Sequence, residues 1–296
     1  MNKLGIFVNF WQNSWAVNYR YYIDKVKSLC YDILEFQAQP LLDMPDDECR
    51  AIKRYADERG IELSYSLGLN PKYDVASKDK EIRAGGVRYL SDIVRKIAVM
   101  GGELFSGVTF AGWGIPDYFV DENEKAEMLE RSVDSMQKVM KIAEKEGVTI
   151  CVEAVNRFES PLINTAKEAL QYVDFVNSPN IGVHLDTYHM NIEENSIGDA
   201  IRLVGNRLRH FHTGENNRNI PGRGHLDWDE IFSALQEIGY KRNIVSEPFL
   251  MMGDEVGYDI RVWRQMIADR SEENLDRAAA ELLDFTKKML RKYSVQ

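Results

Sequence analysis

Eight short runs rich in β-branched and aromatic residues alternate with longer amphipathic stretches along this chain, and that alternation limits its folds more than any other feature. The runs are Leu4–Asn9, Asp32–Phe36, Glu62–Leu67, Leu104–Thr109, Thr149–Val155, Gly182–Asp186, Arg209–Thr213 and Asn243–Phe249. Between them, segments such as DDECRAIKRYADERG, EKAEMLERSVDSMQKVMKIAEKEG and WDEIFSALQEIG carry apolar residues at helical spacing. Several end in glycine just before the next run, at Gly60, Gly147 and Gly239, as helix C-caps do. A last helix is expected over Glu273–Lys292. Strand–helix alternation implies a parallel sheet with right-handed crossovers. Eight repeats in 296 residues fit a closed (βα)8 barrel of the α/β class. An open doubly wound sheet is the runner-up, but the Gly-rich nucleotide turn it needs after the first strand is replaced by NFWQNSW. No low-complexity linker interrupts the pattern, so a single barrel domain over residues 1–296 is expected.

Composition narrows the partners. Lys+Arg number 37 against 47 Asp+Glu, a formal charge of -10, which argues against nucleic acid because phosphate binding needs a basic surface. Cys30, Cys49 and Cys151 are odd in number and show no CxxC spacing, so no disulfide framework is expected and a cytoplasmic location is the simplest. The opening MNKLGIFVNFW reads as a first strand rather than a signal peptide. Nowhere do eighteen apolar residues run together, so no membrane span is expected.

In a barrel of this kind the active site lies at the carboxyl ends of the strands. Glu153 in ICVEAVNRFE, Asp186 in VHLDTYHMN, His212 in RHFHTGENNR and Glu247 in IVSEPF fall there on four successive strands. Alone, each has a bland reading as a solvated loop carboxylate or a packed histidine. Carboxylates inside near-apolar strands are costly unless paired or bound to a cation, and four in register point to one divalent metal ion. Three carboxylates and one imidazole suit a hard to borderline ion, Mn²⁺ first and Co²⁺ or Mg²⁺ next; zinc favours more nitrogen or sulfur. Cys151, although near, reads as a small core residue.

All five histidines fall between positions 184 and 225. His184 and His210 precede proposed ligands by two residues and therefore share their strand face; packing and support of the ligands are both open readings. His189, Glu159 and Arg218 occupy strand-exit positions from which they reach a substrate, Arg218 with a fixed fork of donors for substrate oxygens. Phe7, Phe10, Trp11, Trp15, Trp113 and Phe249 crowd the same rim, where flat apolar rings suit the C–H faces of a sugar. For Phe10 and Trp11 core packing is the better reading. The glycines of PGRGHLDW lack the GK[ST] ending of a phosphate loop.

EAVNRFE, LDTYHMNIEE, HFHTGENNR with PGRG, and EPF followed by VWR together resemble the ketose 3-epimerases of the xylose-isomerase-like TIM barrels, the D-tagatose and D-allulose (psicose) 3-epimerase group. The resemblance runs almost end to end, and SLGLNPKYDVAS and GVTFAGWGIP look closer to the tagatose epimerases. It implies Glu153, Asp186, His212 and Glu247 as metal ligands, and Glu159, His189 and Arg218 as the substrate-binding trio. It also implies Phe7, Trp15, Trp113 and Phe249 as sugar-lining aromatics, although many relatives have tyrosine where this chain has Phe7. The implied reaction is metal-dependent epimerisation of free ketoses at C3, on the pairs D-tagatose/D-sorbose and D-fructose/D-allulose and on ketopentoses. It would run through an enediolate with Glu153 and Glu247 exchanging acid and base roles on opposite faces of the sugar, the ion polarising the carbonyl. The resemblance further implies a homodimer or homotetramer.

An aldose–ketose isomerase moving the proton between C1 and C2 would use the same parts. A metal-dependent endonuclease on this barrel would need more histidine and carboxylate ligands and a basic face. A non-catalytic sugar-binding module would have lost a ligand or an acid/base residue, and none is missing.

Overall fold

The computed structural model describes residues 2–293. Eight parallel strands close on themselves in chain order: β1 (Leu4–Phe7), β2 (Ile33–Gln37), β3 (Glu62–Gly68), β4 (Leu104–Val108), β5 (Thr149–Ala154), β6 (Ile181–Asp186), β7 (Leu208–Thr213) and β8 (Ile244–Ser246). Closure is made by β1 on β8, with Leu4 opposite Ile244 and Ile6 opposite Ser246. Helices cover the outside: α1 (Tyr19–Ser28), α2 (Asp46–Asp57), α3 (Lys80–Val99), α4 (Glu122–Glu146), α5 (Ala166–Val176), α6 (Thr187–Glu193), α7 (Ile197–Val204), α8 (Trp228–Glu237), α9 (Asp254–Asp259) and α10 (Glu272–Tyr293). With side chains covered on both faces, strands such as ILEFQ and TICVEA can be nearly all apolar, and the few polar residues in them stand out. Among the described residues, no helix is long and apolar enough to cross a membrane.

Local chemistry sets the element ends. Asp79, Asp121, Thr165, Ser196 and Asp227 accept backbone N–H bonds at the starts of α3, α4, α5, α7 and α8. Gly147 closes α4 in the left-handed conformation, and Gly60 and Gly239 adopt it just beyond α2 and α8. Two strands stop earlier than their apolar runs suggest. β1 turns at Val8 into a short 3-10 helix over Val8–Phe10, and β8 ends at Ser246 because Pro248 has no N–H to extend the ladder. Phe10 and Trp11 lie in the core, with the Trp11 indole donating to Asp276. Cys49 and Cys151 are buried and Cys30 exposed; none is bonded to another.

One irregularity bears on function. Val183 pairs with Leu208 but His184 with His210, so β7 spends one extra residue, Arg209, at this point. From there Asp186 sits opposite His212; an unbroken register would have set it opposite Phe211. A one-residue slip sends a strand's side chains to the other face, so this bulge is what aims His210 and His212 into the barrel beside His184 and Asp186. Gly182 makes room for it: a Cβ there would lie 2.0 Å from Arg209 Cγ.

Candidate active site

The four strand-end residues come together at the carboxyl end of the barrel. His212 Nδ1 lies 3.8 Å from Asp186 Oδ2 and 3.8 Å from Glu247 Oε1. One ligand atom each of Glu153, Asp186 and His212 fall within 4.8 Å of one another. All four side chains are buried. Glu247 is just past β8, held by its backbone N–H on the Thr213 carbonyl. Its other oxygen, Oε2, takes a 3.1 Å bond from Arg218 Nη1.

The donor set fits a divalent ion. His212 Nδ1 is fully buried with no hydrogen-bond partner, and 3.8 Å is too long for a bond to either carboxylate. Atoms ligating one ion at ~2.1 Å each lie roughly 3–4 Å apart, the separation of His212 Nδ1 from Asp186 and from Glu247. The buried carboxylates also need positive charge. Without it, burial and then the neighbouring Glu247 push the Glu153 carboxyl well above its usual range. Oxygen with one imidazole nitrogen is a set that Mn²⁺, Co²⁺ and Mg²⁺ accept.

Around this centre stand the other sequence-picked residues. Asp186 caps α6, its Oδ1 accepting from the Tyr188 N–H at 2.6 Å, which leaves Oδ2 turned to His212 and Arg218. The helix begins so abruptly that His189 is already on its first turn. His189 Nδ1 accepts from the Asn156 backbone N–H at 3.1 Å, which puts the neutral ring's hydrogen on Nε2; Arg218 Nη2 lies 3.4 Å from Nε2, too long for a good competing bond. Burial and the adjacent Arg218 lower the His189 pKa to about 3, so it stays neutral. Nε2 lies 3.7 Å from Glu153 Oε1.

Arg218 has a positive φ of 65°, an uncommon choice for a non-glycine residue and one that the loop enforces. Buried Glu215 ties that loop down by accepting from Gly222 N, Leu226 N and the Trp228 indole. The guanidinium lies 3.8 Å above the Tyr188 ring and reaches Asp186, Glu247 and Glu159. Burial opposes its charge, but Asp186, Glu159 and Glu247 outweigh burial and keep it charged. Glu159 in turn accepts from the Trp113 indole at 2.9 Å. Trp113 lies flat over β3 because residue 68 is glycine: a Cβ there would sit 2.7 Å from the ring.

The cleft over the centre encloses ≈ 470 Å³, counting its open mouth, and Phe7, Trp15, Trp113 and Phe249 all line it. Phe7 and Phe249 meet edge to face with centroids 6.1 Å apart, and Trp15 is pinned by its indole on Asp259. Gln37, Ser66 and Gly68 also line the cleft and were not foreseen.

The largest omission of the sequence reading is Glu35, fully buried on β2. Its Oε1 lies 2.6 Å from His212 Nε2, and its Oε2 lies 2.9 Å from His210 Nε2. Burial alone would raise its pKa, but His210 and His212 outweigh burial and hold the carboxyl well below the usual range. His210 is thus a bonded partner in the centre, whereas both His184 nitrogens lack one and its ring packs against the other two. Burial and the two neighbouring rings hold His184 neutral. A carboxylate inside an apolar strand was the signal that singled out Glu153, and ILEFQ carries it equally.

Comparison with known proteins agrees with this geometry. Residues 23–286 match the family of xylose isomerase-like TIM barrels. The D-psicose 3-epimerase of Ruminiclostridium cellulolyticum is 42% identical over 288 residues, covering 97% of this chain and 98% of that one. The L-ribulose 3-epimerase of Mesorhizobium japonicum is 32% identical over 91% of this chain and 89% of its own. A crystal structure of D-psicose 3-epimerase with D-tagatose from Clostridium cellulolyticum H10 superposes with a TM-score of 0.94, at 42% identity, covering 97% of this chain and 99% of that one. The chain therefore belongs to the xylose isomerase-like TIM barrel family, in the group of the D-psicose, ketose and L-ribulose 3-epimerases.

Proposed function

We propose that this chain reversibly inverts C3 of free ketoses, D-fructose/D-allulose and D-tagatose/D-sorbose among them, with one divalent ion held by Glu153, Asp186, His212 and Glu247. The observation that carries the reading is the orphaned His212 Nδ1 among buried carboxylates at the floor of an aromatic-lined cleft. When bound, the ion supplies positive charge to the sugar oxygens beside the carbonyl, for which Mn²⁺ is the first choice and Co²⁺ or Mg²⁺ the next.

The residues do the rest. Glu153 comes from β5 and Glu247 from the end of β8, so they approach a sugar from different sides. One enters the cycle ionised and takes the proton from C3; the electron pair moves into the C2–C3 bond and the charge onto the O2 oxygen. The other enters protonated and returns a proton to the opposite face of C3, which restores the carbonyl. His189, with its hydrogen on Nε2, donates to a sugar oxygen, while Glu159 and Arg218 bind hydroxyl groups farther along the chain. Phe7, Trp15, Trp113 and Phe249 cover the C–H faces and shed water. Arg218 is the only Lys or Arg among the described residues lining the cleft, and carboxylates already surround it, which favours unphosphorylated sugars. The same reading takes the chain as one barrel domain acting in the cytoplasm as a homodimer or homotetramer.

Turnover in D₂O tests the reaction. Deuterium should appear at C3 of the product, and label at C1 or C2 would mean aldose–ketose isomerisation instead. Exhaustive chelation should abolish turnover and Mn²⁺ should restore it; full activity after chelation would refute the ion.

A further inference from the structure

We infer that Glu35 is a positioning residue of the metal centre: acting through His212, it orients the one nitrogen ligand and strengthens ion binding. The inference rests on the proposed ligand set. Strands β2 and β7 are not neighbours in the closed barrel, so the bond between Glu35 and His212 crosses the interior. At 2.6 Å it is a short, charge-assisted contact in a fully buried place. A carboxylate has no hydrogen to give, so His212 Nε2 carries it, which leaves the lone pair on Nδ1, the atom facing Asp186 and Glu247. One other group reaches the same nitrogen: His210 Nε2 lies 2.9 Å from His212 Nε2, but that distance is longer than the 2.6 Å to Glu35. The charged Glu35 Oε2, also 2.9 Å from His210 Nε2, is the stronger acceptor for the His210 hydrogen. The rings of His184 and His210 flank His212 at 4.1 and 4.7 Å between centroids and limit its tilt.

Glu35 is itself held. Ser64 on β3 donates to Oε2 at 2.6 Å, and the same oxygen meets His210 Nε2 at 2.9 Å. The four groups form a floor beneath the ligands: Ser64 and His210 fix Glu35, Glu35 fixes His212, and His212 presents Nδ1. A carboxylate behind a ligating histidine also raises the basicity of the ligand nitrogen, and loss of such a partner typically weakens metal binding about 10–100-fold.

Ion affinity of the chelator-stripped full chain, measured by competition between Mn²⁺ and a chelating dye, tests this without turnover. Glu35→Gln, verified as folded by circular dichroism, should raise the dissociation constant about 10–100-fold. In a His212→Ala background the same change should have little further effect, because the route through His212 is already gone. Parental affinity in folded Glu35→Gln, or an equal further loss in the His212→Ala background, would overturn the inference. If Glu35→Gln does not fold, Ser64→Ala frees the carboxylate from behind and should weaken the ion by about 2–10-fold, the worth of one hydrogen bond. Unchanged affinity there would overturn the inference as well. An unaltered chain that takes up no Mn²⁺ would instead sink the metal centre, and Glu35's role with it.

Discussion

The two halves of the barrel share one geometry and do different work. Strands β5–β8 deliver every proposed ligand, one per strand, and the loops after β5 and β7 and the helix after β6 add Glu159, Arg218 and His189. Strands β1–β4 and their loops deliver Phe7, Ser66, Gly68, Trp15 and Trp113, the proposed wall for the sugar. Charge is thus gathered on one side of the cleft, and most of the apolar surface comes from the other, with Phe249 past β8 joining Phe7. A sugar has the same division, with oxygens for the ion side and C–H faces for the wall. Glu35 is the exception that explains the rule: a charge from the apolar half, placed below the sugar and spent on a histidine of the polar half.

The largest effect should come from the charged half. Glu153→Gln and Glu247→Gln keep shape and remove one proton acceptor each, so each should lower kcat about 10²–10⁴-fold. Residues acting as a unit are non-additive, so the double variant should be little worse than either single. Ion content must be measured alongside, and a metal-loaded Gln variant within a few-fold of the parent would break the two-base assignment.

Why one half was legible and the other less so follows from distance along the chain. Glu153, Asp186, His212 and Glu247 recur once per βα repeat, so their convergence is visible as soon as the repeats are counted. Glu35 carries the same local signal, but its partner lies 177 residues away and nothing local in ILEFQ points to it. The bulge at Arg209 is silent for a different reason: RHFHT alternates whether or not the register slips, so the pattern is the same on both sides of the slip. The short α6 was hidden too, because the carboxylate that caps it, Asp186, was already read as a ligand and the chain beyond as a strand exit.

Two glycines sharpen the comparison at an intermediate scale. A Cβ at Gly182 would collide with Arg209 Cγ, and a Cβ at Gly68 with the Trp113 ring. Overpacking a tight interior costs about 1–3 kcal/mol, so Gly182→Ala and Gly68→Ala should both lower the thermal midpoint by a few degrees. Their functional signatures should differ. Gly182→Ala strains the bulge that aims His212, so ion affinity should fall. Gly68→Ala lifts Trp113 and loosens its bond to Glu159, so KM for the ketose should rise with ion affinity unchanged. Matching losses of ion affinity in both variants would show that the halves are not separable.

The smallest effect belongs to the wall itself. Phe7 ends β1, is almost wholly buried, meets Phe249 edge to face and lines the cleft. Phe7→Tyr adds one hydroxyl there and changes no charge. If a sugar hydroxyl can reach it, one neutral hydrogen bond is worth about 0.5–1.5 kcal/mol, or roughly 2–10-fold in kcat/KM. The gain should depend on which way the hydroxyl at C4 points, so the ratio of kcat/KM for D-fructose over D-tagatose should shift within that range. Ion affinity should stay at the parental value, because no ligand touches the ring. An unchanged ratio would mean that this wall contributes shape alone, and a change in ion affinity would mean that β1 reaches the charged half after all.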